Sequence, residues 1–68
     1  MSVARVTEIK STSKKSFEDA IEVGVARANK TLKNVRGAWV KEMEVECGKN
    51  GKIAEYRVLL KVTFVLND

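Results

Sequence analysis

The sequence predicts an α+β fold of order β-α-β-β: a three-stranded antiparallel sheet, strand order 1-3-2, with one helix packed on one face. Three observations carry this. Phe17, Ala20, Ile21, Gly24, Val25, Ala28, Leu32 and Val35 recur at the i, i+3, i+4, i+7 spacing of one helical face. Tyr56, Val58, Leu60, Val62, Phe64 and Leu66 alternate without a break, the period of a strand with one buried side. Between them, Gly48-Lys49-Asn50-Gly51 contains Asn-Gly, a strong short hairpin signal.

The elements follow in order. Residues 3–10, VARVTEIK, are rich in strand formers, and Ser11-Thr12-Ser13 interrupts them. A helix is expected over 16–33, with Ser16 as N-cap and Asp19 three residues on as a shortened capping box. Gly24 and Ala28 on the buried stripe let the helix approach the sheet closely. Residues 36–47 read as a strand with a defect. Ala38 and Val40 share one parity, Met43, Val45 and Cys47 the other, and a β-bulge near Lys41-Glu42 explains the slip. Residues 53–66 form the longest strand. The helix carries the chain back over the sheet, so strands one and two run the same way. The hairpin makes strand three antiparallel to strand two, and its unbroken apolar face suits the centre. One helix covers one side only. The other side carries Glu55, Arg57, Leu59, Lys61, Thr63 and Val65, with Trp39 beside them, and is a natural surface for symmetric contacts or a ligand.

Sixty-eight residues make one domain, 1–68, with a limited core. Small scaffolds lean on disulfides, a metal or a partner subunit. Cys47 is the single cysteine and there is no histidine, so neither an internal disulfide nor a Cys/His zinc cluster is available, and oligomerisation remains. The composition, 44% hydrophobic and 32% charged with no proline, is that of a folded chain. Apolar runs are too short for a bilayer and the N-terminus lacks a signal-peptide core, which makes a cytoplasmic location the default. The net charge of +4 raises nucleic acid as a partner. The basic residues are scattered, however, and Arg27, Lys30, Lys33 and Arg36 sit at or past the helix C-terminus, where they oppose its dipole. Neither nucleic acid nor membrane is expected as a partner.

Catalytic patterns are nearly absent. Without histidine, Ser-His and Cys-His arrangements are excluded, and no acid–base pair is visible, so the chain reads as a non-enzyme. Glu42, Glu44 and Glu46 alternate on strand two and form either a solvated face or an attraction for a hard cation. The glycines around Lys49 do not match a phosphate loop. Trp39, opposite in parity to Ala38 and Val40, falls on the uncovered face. There it is either an oligomer anchor or a stacking platform for a planar ligand.

The order of parts is distinctive: Thr12-Ser13, a helix ending Ala26-Arg27-Ala28-Asn29-Lys30-Thr31-Leu32, then Val40-Lys41-Glu42, a hairpin, and Glu55 through Leu66 as E-Y-x-V-x-L-x-V-x-F-x-L. Over nearly its whole length the chain resembles the dodecins. The resemblance implies a hollow homododecameric shell of cubic symmetry and non-catalytic binding of flavin (riboflavin or FMN) for storage or sequestration. Flavins in that family stack in pairs between tryptophans at subunit contacts. The alternative is a flavin-free shell that holds another small ligand or cation, or serves only as an assembly. The family's stacking tryptophan falls at Gly37 here, and its flavin-bonding glutamine at Arg57. Trp39, two residues on and on the same face as Gly37, either substitutes as the platform or fills the flavin space itself. Arg57 either pairs with a flavin carbonyl or phosphate, or bridges to an acid such as Glu55. Gly37, Trp39 and Arg57 are therefore the candidate cofactor-binding residues.

Overall fold

The computed structural model describes residues 3–66; of the domain expected over 1–68, the outer two residues at each end lie outside the described residues. Four elements follow in order: β1 (Ala4–Ser13), α1 (Phe17–Thr31), β2 (Val35–Cys47) and β3 (Ile53–Val65). The sheet order is β1-β3-β2, with both outer strands antiparallel to β3. This is the predicted architecture.

Strand β3 is central because its alternation supplies an unbroken apolar side. Val58, Leu60 and Val62 are fully buried there beneath Ala20 and Ala28 of α1. Ile9, Phe17, Ile21, Val25, Leu32 and Val35 pack around this cluster. Phe17 meets Tyr56 edge to face, with ring centroids 5.1 Å apart.

The first strand is longer than expected. It does not end at Lys10 but runs through Ser13, with Ser11 opposite Val58 and Ser13 opposite Tyr56. Both serines are buried under the helix. The reason is space. Gly24 lies so close to β1 that a β-carbon there would stand 2.9 Å from Ser11 Cβ and 3.0 Å from Leu60 Cδ1. Only a small residue fits opposite, so serine stands where strand propensity alone would place valine.

Ser16 is the N-cap: its hydroxyl accepts the Asp19 N–H at 3.0 Å. The Asp19 carboxylate does not return to the Ser16 N–H as a capping box would. It accepts the Ser13 hydroxyl at 2.6 Å and so ties the helix start to the end of β1. The helix stops at Thr31, short of the expected Lys33, and Asn34 adopts a positive φ of 61°. Asparagine tolerates that conformation better than most residues. The turn moves Val35, which continues the helical spacing, into β2, where it pairs with Phe64. Strand β3 ends at Val65, so Leu66 closes the apolar alternation outside the strand.

The bulge falls where the phase slip placed it. Val40 pairs with Leu60 and Glu42 with Leu59, which leaves Lys41 as the extra residue. Before it, Gly37 and Trp39 point away from the helix; after it, Glu42, Glu44 and Glu46 do. In the hairpin, the Gly51 N–H donates to the Gly48 carbonyl at 3.1 Å, and Gly51 has φ 74°. The loop is thus a turn closed by a left-handed glycine rather than a two-residue Asn-Gly hairpin.

Candidate functional site

The face turned away from α1 is a lattice of cross-strand rows set by the two registers. Val6, Thr63 and Gly37 form one row and Glu8, Lys61 and Trp39 the next. Then come Lys10, Leu59 and Glu42, followed by Thr12, Arg57 and Glu44, with Glu55 beside Glu46 at the hairpin end. None of the described elements covers this face.

Trp39 is 75% exposed, a high value for an indole that sits in a strand. Gly37 lies two residues back on the same side, and a β-carbon built there meets nothing within 4 Å. Next to the indole the sheet therefore has a bare notch, floored by Thr63 and edged by half-exposed Val6.

Arg57 is placed elsewhere. It lies four residues from Lys61 along β3, roughly 13 Å at strand rise. Its Nη2 donates to Glu46 Oε2 at 2.6 Å and to Glu55 Oε1 at 3.2 Å, while Nη1 approaches Glu44 Oε1 at 3.8 Å. The hydrogen bond with Glu55, then the charge of Glu46, hold the guanidinium above its ordinary basicity, against some loss from desolvation. Within one chain, then, Gly37 and Trp39 come together, whereas Arg57 is occupied by three carboxylates. Within one chain, no group of three or more acidic or Cys/His side chains among the described residues is arranged to hold an ion.

Three residues escape a reading of spacing alone: Glu8, Lys41 and Lys61. Lys41, the bulge residue, reaches across the face so that its Nζ donates to Glu8 Oε2 at 3.1 Å. Lys61 lies directly between Trp39 and Glu8. Lys61 is visible in the sequence as one member of a mixed strand face, but its pairing with the tryptophan depends on register.

Fold and site together define a one-helix β-α-β-β protein whose uncovered sheet face presents a bare aromatic ring. Comparison with known proteins names the class. A family model described as Dodecin matches residues 3–67. The chain is 38% identical to the dodecin of Thermus thermophilus over 66 residues, 97% of this chain and 94% of that protein. It is 39% identical over 64 residues to the calcium dodecin of Mycobacterium tuberculosis, 94% of this chain and 89% of that one. The solved structure of a dodecin from Streptomyces davaonensis superposes with a TM-score of 0.93 at 36% identity, covering 98% of this chain and 97% of that one. The chain belongs to the dodecin family.

Proposed function

We propose that the protein assembles as a hollow homododecameric shell and binds flavin (riboflavin or FMN) without turning it over, as a store or sequestering device. The observation that carries the ligand is Trp39: an indole three-quarters exposed on an uncovered sheet face, beside a glycine notch. A large aromatic in that position is a stacking surface awaiting a partner. Gly37 leaves the room that a ring system needs. Arg57, engaged by its carboxylates, bears on ligand only if assembly brings it to another chain's notch.

The surface supports assembly. The chain exposes 5330 Å², against roughly 4,300 Å² expected for a folded monomer of its mass. The excess is close to the area one partner contributes to a standard interface, about 800 Å². Val6, Met43, Val45 and Ile53 are among the large apolar side chains left exposed. Cys47 is free and exposed, which suits a reducing cytoplasm.

Two measurements on freshly purified protein test this. The visible spectrum should show bound flavin, or titration with riboflavin or FMN should quench the fluorescence of the chain's one tryptophan. Light scattering should give about twelve times the 7.6 kDa of one chain. Colourless protein with unquenched Trp39 defeats the flavin reading, and a stable monomer or dimer defeats the shell.

A second reading has an observation of its own. One relative is a calcium dodecin, and Glu42, Glu44, Glu46 and Glu55 share the hairpin half of the open face here. Calcium titration followed by calorimetry separates the two: heat of binding with calcium but none with flavin favours a cation-holding shell.

A further inference from the structure

The open face is electrically divided. Toward the hairpin, the four carboxylates of Glu42, Glu44, Glu46 and Glu55 outnumber the two cations Lys10 and Arg57. Toward Trp39 the balance reverses. Lys61 is the cross-strand neighbour of both Trp39 and Glu8, and opposite side chains on one face stand with β-carbons about 5 Å apart. Glu8 is the natural counter-ion for Lys61, but Lys41 holds it at 3.1 Å. Among the described residues Lys61 forms no ion pair. Lys10 and Arg57, the other cations in the rows of this face, are each joined to carboxylates.

An unpaired lysine beside an exposed aromatic plate matches one ligand chemistry: a planar ring system carrying an anion. We infer, building on the flavin reading above, that Lys61 makes this site select phosphorylated flavin over neutral flavin. The isoalloxazine ring lies on Trp39 over the Gly37 notch, and the phosphate takes the Lys61 ammonium. The half-buried position of Lys61 in the central strand anchors its stem while the head stays in solvent. Arg57 does not fill this role, because its donors are engaged at the opposite end of the face. The bulge is part of the device: as the extra residue, Lys41 is free to cross the face and remove Glu8 from Lys61.

The test uses the full assembled chain and the quenching of Trp39 by riboflavin and by FMN. Wild type should bind FMN about fivefold more tightly, the value of one good exposed charge pair, and added salt should shrink that ratio. Lys61→Gln should bring FMN down to the riboflavin affinity and leave riboflavin unchanged, while Lys61→Arg should keep the preference. Equal affinities in wild type, a ratio indifferent to salt, or a preference that survives in Lys61→Gln overturns the inference and leaves the flavin reading standing. Quenching by neither ligand overturns the flavin reading, and this one falls with it. The wild-type ratio and its salt dependence need no variant, so a misfolded Lys61→Gln does not block the decision.

Discussion

At the scale of single residues, the tightest constraint is the contact of Gly24 with Ser11 and Leu60. Gly24→Ala places a methyl group 2.9 Å from Ser11 Cβ, inside any real contact distance. It should destabilise the fold by about 1–3 kcal/mol, the usual cost of overpacking, measured as a lower denaturation midpoint at unchanged slope. Adding Ser11→Gly should return part of the loss, and that non-additivity is the signature of direct contact. Arg57 predicts differently. Arg57→Ala leaves Glu46 and Glu55 without a cation and Glu44 with Lys10 alone. The variant should melt lower than wild type at low salt, and the gap should narrow as salt screens the repulsion. In wild type, the fold raises the basicity of this cation. Its contribution is therefore complete at neutral pH and is lost only as pH climbs through that raised value, deep in alkali. Trp39→Phe should leave the fold intact, because so little of the indole is buried. A shortfall in flavin affinity without loss of secondary structure, seen by circular dichroism and by the ligand's own absorbance, is the outcome consistent with a stacking role.

At the scale of elements, the bulge decides the most. It exchanges the parity of β2, turning Gly37 and Trp39 outward before Lys41 and the glutamates outward after it. Removing Lys41 would close the bulge: Val40 would adjoin Glu42, the pairings Val40–Leu60 and Glu42–Leu59 would stay in register, and both halves of β2 would keep their faces. A Lys41 deletion should accordingly fold without the bulge and Lys41→Ala should fold with it, each losing the exposed Glu8 pair. Soluble expression and circular dichroism close to wild type for both variants are the expected outcome. This bulge was legible in the sequence, because Val40 and Met43 break an otherwise strict alternation. The helix stripe, the central strand and the exposed side of Trp39 were legible for the same reason: periodicity records which side is buried. The end of β1 was not. Ser11 and Ser13 look like a loop because their identity answers to a helix that approaches from elsewhere in the chain. Val35 misleads in the opposite way, fitting the helical spacing although the backbone reverses at Asn34 before reaching it. At the site, Trp39 and Gly37 could be placed by parity alone. The occupation of Arg57 and the isolation of Lys61 could not, because both depend on which residues of three strands stand side by side.

At the scale of the whole molecule, one helix is too short for its sheet. Fifteen helical residues span about 22 Å, and thirteen residues of strand about 43 Å. The chain is accordingly 52 Å long and 14 Å thin, with a radius of gyration of 14.0 Å, where a compact domain of this length has about 11 Å. Met43 and Val45 lie on the helix side of β2 but beyond its cover, and Met43 is 53% exposed. A charge there should be tolerated by the isolated chain and not by an assembled one. Met43→Asp should lower the mass in solution while its circular dichroism at high protein concentration stays close to wild type. The thinness of the chain also bears on what its stability means. The five buried apolar residues among those described are a small reserve, and in the proposed shell the rest of the apolar surface would be hidden only where copies meet. In the proposed shell, folding and association would share one equilibrium, and dilution alone would act as a denaturant. The melting temperature should rise with protein concentration, and a single free energy of unfolding quoted for this chain would carry a hidden unit, the molarity at which it was measured.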